Sequence, residues 1–314
     1  MDVLKLIESQ IEEINKLETS LFLGLIFNHL DRAEIYYQSG KKDAHYYNDV
    51  VYRTNQAFEG ALKEAYKVLG GKTDEETTRK TPNDIEKYFK DNNVFKERVL
   101  KLFENYRQEW RNKSTHDYKL VLDEHEAFLA LINVSSFVHM LLKQVQEKIA
   151  YNEEKAKEHN IETKTKFAKI TSNKQEPLVE KIVNILKIFS SETICNNDIK
   201  EEELMGKLYA FLEKLDNDFK VHIEPKISIN ETIYVRPDFI IESKEEKVVI
   251  EVKIKSRQRD YKAGISQVSR YLQIAKIESG ILFLAGADAD KRKISSSQHI
   301  IIENDKTYTV YIVG

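Results

Sequence analysis

Three charged residues in the C-terminal half have the types and spacing of a metal-dependent hydrolytic site. Asp238 follows a proline, and Glu251 and Lys253 lie two residues apart within the β-branched run Val248–Ile254. Successive side chains of a strand point to opposite faces, so Glu251 and Lys253 share one face and the apolar residues between them occupy the other. Charges in the middle of an apolar strand cost free energy unless they bind something.

Asp238 can lie beside this pair, because a short charged turn at residues 243–246 separates two predicted strands. Two neighbouring carboxylates form a hard-oxygen site of the kind that Mg²⁺ or Mn²⁺ occupies. A lysine beside them can orient or deprotonate a water and stabilise phosphoryl charge. The alternative interpretation is an exposed hairpin that carries a surface Glu–Lys pair.

The spacing Pro237-Asp238, twelve residues, Glu251-x-Lys253 resembles the motif of the PD-(D/E)xK nuclease superfamily. On the following helix, Gln267 and Tyr271 resemble the QxxxY motif of several branches. The resemblance covers residues 176–314. It implies a domain with a restriction-endonuclease-like fold that hydrolyses phosphodiester bonds, with DNA as the favoured substrate. It implies that Asp238 and Glu251 hold Mg²⁺ or Mn²⁺, that Lys253 activates or positions water, and that Gln267 organises the site.

Members of that superfamily usually add an acid from the helix before the sheet. Glu201, Glu202 and Glu203 are the candidates here. Glu201 lies within about 40° of the centre of the helix's apolar face, and Glu203 lies about 120° away. We therefore favour Glu201 as a third metal ligand, with a solvated helix end as the alternative.

A basic stretch follows the lysine strand and is predicted to contact a nucleic-acid backbone, unless it is simply a solvated loop. Tyr271 and Asn112 complete the predicted nucleic-acid-binding set. The basic residues are Lys255, Arg257, Arg259 and Lys262.

A second group, Arg111, Asn112 and His116, follows a predicted helix over residues 94–110. An arginine can hold a phosphate through two parallel hydrogen bonds, and a histidine can move protons near neutral pH. Metal-free RNA cleavage needs these two functions, since a 2′-hydroxyl attacks the adjacent phosphate and a proton passes to the leaving oxygen.

The string R-N-x-x-x-H, late in a helical domain and before a long apolar helix, resembles the HEPN family. That resemblance implies a four- or five-helix bundle that forms a homodimer, with Arg111 and His116 of two protomers in one composite ribonuclease site. Two alternatives stay open. The domain is a non-catalytic HEPN scaffold, or Arg111 and His116 merely complement a helix dipole.

Periodicity predicts an α + α/β protein with three segments. Residues 1–150 have apolar residues at helical spacing and form the HEPN-like domain, which dimerises the protein. Residues 151–175 are rich in Lys, Glu, Asn and Thr and are predicted to be a charged linker, with a solvated extension of the preceding helix as the alternative. Residues 176–314 combine helices with strands and form the nuclease domain.

Composition excludes several classes of protein. Apolar residues make up 41% of the chain, which is enough for packed cores and excludes general disorder. A single cysteine, Cys195, excludes a disulfide framework and fits the cytoplasm. The N-terminus lacks the apolar region of a signal peptide, and the stretch Phe128–Leu142 is shorter than the ~20 residues of a membrane span. We therefore expect a soluble protein.

These features predict a two-domain, metal-dependent nuclease that acts on DNA, RNA or both. The two family resemblances suggest a prokaryotic anti-phage defence protein or toxin-like effector. The alternative is a non-catalytic nucleic-acid-binding or scaffold protein with vestigial motifs.

Overall fold

The computed structural model describes residues 2–111, 121–157, 161–173, 175–192, 199–215, 218–230, 234–244, 246–254, 258–285, 296–303 and 306–314. The chain divides into two compact units, Met1–Ile149 and Ala150–Gly314. Among the described residues the first unit is helical, and the second combines helices with a mixed six-stranded sheet. The fold is therefore α + α/β.

Six α-helices precede a π-helical turn in the first unit. They are α1 (Val3–Leu17), α2 (Leu23–Ser39), α3 (Tyr46–Leu69), α4 (Asp74–Thr78), α5 (Pro82–Asp91) and α6 (Glu97–Tyr106). The π-helical turn covers Arg107–Arg111, and α7 covers Glu124–Ala156.

Local capping explains where two of these helices begin. At α5, Thr81 and Asp84 each accept a hydrogen bond from the other's backbone N–H, and Pro82 occupies the first turn, where no backbone N–H is needed. At α7, Asp123 and Glu126 make the same reciprocal pair of bonds. Both starts follow from the order of residues in the sequence.

Aromatic side chains fill the centre of the first unit. The rings of Phe58, Phe103 and Phe137 lie 5.0–6.0 Å apart and are fully buried.

Helix α7 is long and apolar enough to cross a membrane by length and composition, but half of its most apolar window is buried inside the protein. Core helices of soluble proteins have the same property.

The second unit begins with three helices and continues into strands. The helices are α8 (Ile161–Ser172), α9 (Leu178–Glu192) and α10 (Glu201–Leu212). The strands are β1 (Lys220–Ile223), β2 (Ile227–Ser228), β3 (Tyr234–Val235), β4 (Phe239–Ser243), β5 (Glu246–Ile254), β6 (Ser279–Ala285), β7 (Ser296–Glu303) and β8 (Lys306–Val313), with α11 (Gln258–Ala275) between β5 and β6.

The sheet order is β1-β4-β5-β6-β8-β7. Strand β5 pairs antiparallel with β4 and parallel with β6, and the helix α11 provides the crossover that parallel neighbours require. Strands β2 and β3 form a separate antiparallel pair.

Helices cover both faces of this sheet, and alternate residues of β5 contribute to different cores. Val248, Ile250 and Val252 pack with α8, α9 and α10 on one face. Val249 packs with α11 on the other face. Glu251 and Lys253 have the parity of Val249 and so lie on the α11 face, as the alternation in the sequence predicts.

The segment 151–175, predicted to be a linker or a helical extension, contains helix at both ends of its described part, and α7 continues into it as far as Ala156. Residues 161–172 form α8, whose Phe167 is buried in the core of the second unit and whose Ile170 packs against it. Composition hid this helix, because two apolar residues three positions apart are enough to attach an otherwise charged helix to a core.

Candidate active site

The hairpin of β4 and β5 brings Asp238 next to Glu251. The register pairs Phe239 with Ile250. Because the two strands are antiparallel, the preceding residue of one, Asp238, lies opposite the following residue of the other, Glu251. The Val252 N–H donates a hydrogen bond of 2.7 Å to Oδ2 of Asp238, which ties the side chain to β5. The Asp238 carbonyl accepts a bond of 2.8 Å from the Glu224 N–H. The aspartate is therefore held from both ends.

Glu251 is the most deeply buried charged residue of the site, with 2% of its surface exposed. Its Oε1 accepts a hydrogen bond of 2.6 Å from Nζ of Lys253. Its Oε2 is buried and has no hydrogen-bond partner among the described residues. A buried carboxylate oxygen without a partner is costly, and a cation would satisfy it.

Burial perturbs both carboxylates, and the charge of Glu251 adds to its effect on Asp238. Burial, together with the charge of Glu251, raises the pKa of Asp238 to about 8, although the Val252 N–H and Lys253 act in the opposite direction. Burial also raises the pKa of Glu251, against the opposing effect of Lys253. Without a cation, the pair resists carrying two negative charges.

Lys253 is held in its protonated form. Burial lowers its pKa, but the hydrogen bond and charge of Glu251 and the charge of Asp238 outweigh burial and leave the pKa above its ordinary value. A protonated lysine can stabilise phosphoryl charge or orient a water. It is not suited to remove a proton from one at neutral pH.

Glu201, at the first position of α10, lies within electrostatic reach of this group. Its charge raises the pKa of Asp238 and Glu251 and that of Lys253. Glu203 instead pairs with Lys207 on its own helix. Of these two acids, the structure brings Glu201 towards the pair.

The helix α11 contributes Gln267 and Tyr271 as a hydrogen-bonded pair. Nε2 of Gln267 donates a bond of 2.6 Å to the Tyr271 hydroxyl, and only 7% of Tyr271 is exposed. Burial raises the Tyr271 pKa, Gln267 opposes this, and the charges of Glu251 and Asp238 reinforce it. The Tyr271 hydroxyl is therefore close enough to the carboxylates to be affected by their charge, and Gln267 is tied to it.

Several predicted site residues are not among those that the structure describes in full. Lys255 and Arg257 fall outside the described residues, as do Asn112 and His116, and for Arg259 and Arg111 only the backbone is described. Lys262 is exposed on α11. The predicted phosphate contacts and the Arg111–His116 pair therefore stay predictions.

The π-helical turn that ends at Arg111 has an anchor that sequence analysis missed. Nη1 of Arg107 lies 2.6 Å from Oε1 of Glu86, a residue of α5 that is 6% exposed. Lys90 reaches the same carboxylate at 3.2 Å. One signal in the sequence could have indicated this contact: Glu86 directly follows Ile85 and precedes Phe89 by three residues, so it lies beside the buried apolar residues of a short helix.

The donor set at Asp238 and Glu251 fits a divalent cation. A buried carboxylate, Glu251, and a partly buried one, Asp238, supply hard oxygen ligands, and Oε2 of Glu251 lacks a partner within the described part of the chain. Among those residues, no group of three or more His, Cys, Asp or Glu side chains is close enough to hold a metal together. The protein would thus provide a pair of side chains, with Glu201 farther away.

Comparisons with known proteins add nothing to this geometry. No protein-family model matches the chain. A search of curated proteins also finds no match.

Proposed function

We propose that the second unit is a metal-dependent nuclease of the PD-(D/E)xK superfamily, which hydrolyses phosphodiester bonds with Mg²⁺ or Mn²⁺ and favours DNA. One observation carries this proposal. Asp238, partly buried, and Glu251, buried, lie side by side on one face of the sheet, Lys253 contacts Glu251, and Oε2 of Glu251 has no partner among the described residues.

Each residue has a distinct role in this proposal. Asp238 and Glu251 would hold the cation, which supplies Lewis-acid stabilisation of phosphoryl charge and lowers the pKa of a bound water. Lys253, kept protonated by Glu251, binds a phosphate oxygen or orients the attacking water. The hydrogen bond between Gln267 and Tyr271 fixes the α11 side of the site. Glu201 adds negative charge at its edge.

The architecture of the second unit supports a restriction-endonuclease-like fold. A mixed sheet is covered by α9 and α10 on one face and by α11 on the other. The motif lies on a central hairpin, where β5 pairs with both β4 and β6. Buried strands flanked by other strands hold side chains more rigidly than loops do, which suits a site that depends on position.

A cleavage assay tests this proposal against the scaffold alternative. Plasmid DNA and a structured RNA are incubated with the full chain in Mg²⁺, in Mn²⁺ and in EDTA. We expect cleavage with either metal and its loss in EDTA. Tight binding of both nucleic acids without cleavage under any condition would favour the non-catalytic scaffold and contradict the proposal.

A second candidate function, metal-independent RNA cleavage by a HEPN-like first unit, is favoured by the π-helical turn at Arg107–Arg111. Such turns are rare and occur frequently at functional sites. Its anchor, Glu86 with Arg107, fixes the backbone that carries Arg111. Arg111 would hold the scissile phosphate and His116 would transfer the proton. Together the two nuclease motifs favour a role in prokaryotic defence or as a toxin-like effector in the cytoplasm.

The variant His116→Ala tests this second function. We expect it to remove EDTA-resistant RNA cleavage, including products with a 2′,3′-cyclic phosphate, and to leave Mg²⁺-dependent cleavage unchanged. If His116 only complements a helix end, the variant should instead lose roughly 0.5–2 kcal/mol of stability with every activity intact. Melting temperature and cleavage measured on one sample separate the two results.

The first unit also supports a homodimer. Phe128, Leu129 and Ile132 lie within about 100° of one another around α7 and remain 40–47% exposed. A contiguous apolar patch of this kind is typical of an interface.

We expect light scattering of the full chain to give twice the mass of one chain, and Ile132→Asp to give the monomer. Ile302→Asp, at an exposed isoleucine of the second unit, is the matched control. A monomeric wild type at tens of micromolar would contradict the proposal.

A further inference from the structure

A row of tyrosine rings and arginine guanidinium groups lies on the surface formed by α2 and α3. The rings of Tyr36 and Tyr46 stack with centroids 5.5 Å apart and planes 21° apart. The Arg53 guanidinium lies over two rings, 6.0 Å from the centroid of Tyr36 and 5.9 Å from that of Tyr52. Arg32 lies 5.8 Å from Tyr36. We call these five residues the tyrosine–arginine surface.

The outer rings of this surface are open to solvent. Tyr52 is 59% exposed and Tyr46 is 36% exposed. Tyrosine rings usually bury most of their area, so two exposed rings in one row leave flat aromatic faces available. The guanidinium of Arg53 is planar and extends the same row of stacking faces.

The charge of the surface is positive. Neither Arg32 nor Arg53 forms a salt bridge with a carboxylate among the described residues, and neither do Lys41 and Lys42 in the adjoining loop. Arg53 instead contacts Nδ1 of His29 at 3.4 Å. Because arginine has no acceptor, this nitrogen must accept the bond. Burial and the charge of Arg53 lower the pKa of His29, so this histidine is neutral. It therefore adds no charge of its own to the tyrosine–arginine surface.

The acidic residues nearby leave a positive balance. Asp43 and Asp49 are the carboxylates within the loop and the start of α3, against four cations. Asp43 accepts a hydrogen bond from the His45 N–H, which commits it to the loop. On α2, Glu34 lies about 160° around the helix from Arg32 and faces away, and Asp31 lies about 100° around it, to one side.

We propose that the tyrosine–arginine surface binds single-stranded nucleic acid. Unpaired bases would stack on Tyr46, Tyr52 and the planar face of Arg53, while Arg32, Lys41 and Lys42 contact phosphates. Stacking on aromatic side chains combined with a positive surface is the general means by which proteins hold single strands without reading their sequence. The proposal is independent of the metal site and of Arg111 and His116.

Another aromatic–cation pair in the same unit shows why charge matters. Lys67 lies 5.0 Å from the ring of Phe22, which is 58% exposed and so matches Tyr52. Lys67, however, forms salt bridges with Glu64 at 3.0 Å and Asp74 at 2.6 Å. Its charge is compensated, so this pair lacks the attraction for phosphate and serves as a control.

Binding is measured on the full chain in EDTA, which stops Mg²⁺-dependent cleavage, and the RNA probe carries 2′-O-methyl groups, which prevent the metal-independent cleavage proposed for the first unit. The probes are fluorescein-labelled oligo-uridine RNA and oligo-thymidine DNA, which separate the two sources of single strands, with a blunt duplex for comparison. We expect the single strands to bind more tightly than the duplex. Tyr52→Ala should weaken single-strand binding about 5- to 100-fold, Tyr52→Phe should retain it, and Phe22→Ala should leave it unchanged.

Photocrosslinking locates the contact directly. Single strands carrying 5-bromouracil should crosslink to peptides that contain Tyr36, Tyr46 or Tyr52. Crosslinks confined to other peptides would overturn the proposal, and so would equal losses of affinity in Tyr52→Ala and Phe22→Ala. If Tyr52→Ala converts a dimer into a monomer, the surface is an interface between copies of the chain and the proposal is wrong. Affinity, crosslinking and oligomeric state can all be measured on a protein that does not cleave nucleic acid, so these tests do not depend on the nuclease proposal.

Discussion

Replacing Asp238 with Asn, or Glu251 with Gln, should lower the rate of Mg²⁺-dependent cleavage by about 10³-fold or more and leave the protein folded. Each change keeps the size of the side chain and its ability to accept a hydrogen bond, but it removes one of two charged oxygen ligands. A 10³-fold loss corresponds to about 4 kcal/mol of transition-state stabilisation, within the range that a catalytic metal supplies.

The control for this prediction lies on the same hairpin. Glu242 is a β4 carboxylate that contacts Lys247 at 3.4 Å, and it resembles Glu251 in having a lysine partner but is partly exposed. Glu242→Gln should cut at the wild-type rate. Wild-type cleavage by Asp238→Asn or Glu251→Gln would show that these residues do not form the site. Lys253→Ala should bind metal but cut poorly.

The second large effect concerns stability without metal. Asp238→Asn should be more stable than the wild type at pH 8 in EDTA by about 2 kcal/mol or more, which is ~4 °C or more in the melting temperature of the second unit. The raised pKa of Asp238, about 8 in the folded protein against 3.8 for the ordinary group, means that ionisation opposes folding. The amide removes that ionisation and still accepts the Val252 N–H.

The sign of the pH dependence follows from linkage. Between about pH 4 and pH 8 the folded Asp238 binds a proton that the unfolded chain releases, so wild-type stability falls as pH rises. The advantage of Asn should therefore be small near pH 4 and largest at pH 8. Differential scanning calorimetry in EDTA across this range measures it. A wild type more stable than Asp238→Asn at pH 8 would contradict the arrangement of buried charges.

Adding Mn²⁺ provides the matching test. A ligand that binds the folded state raises the melting temperature, so the wild type should gain stability with Mn²⁺ at pH 8. Asp238→Asn should gain much less, because one ligand is missing. Equal gains in both proteins would indicate that Mn²⁺ binds elsewhere.

The local part of this site could be predicted from sequence because it follows from strand geometry. Glu251 and Lys253 alternate with Val248, Ile250 and Val252, and the two sets occupy opposite faces of β5. The charged turn after β4 made a hairpin the simplest connection, and the hairpin puts Asp238 near Glu251. Period-two alternation and turn residues are contained in short stretches of sequence.

The remaining features depend on contacts between distant segments. Strand β7 has no clear alternating pattern in the sequence, because it is an edge strand whose Ile300 and Ile302 are 61% and 76% exposed while Ile301 between them packs against a core. The hydrogen bond from the Val252 N–H to Asp238, and the lack of a partner for Oε2 of Glu251 among the described residues, depend on the hairpin register and the α11 packing. Neither has a signature in local residue order.

The π-helical turn at Arg107–Arg111 determines which changes of length this segment tolerates. A π-turn contains one residue more than the α-helical turn it replaces, so loss of one codon within residues 107–110 would restore a regular α-helical turn after α6. Because the extra residue is contained within one turn, the backbone at Arg111 would keep its position around the helix axis. Substitutions that convert the turn to α-helix without removing a residue would instead rotate that position by about 100°. A deletion of one residue here is therefore the milder change for the backbone that carries Arg111.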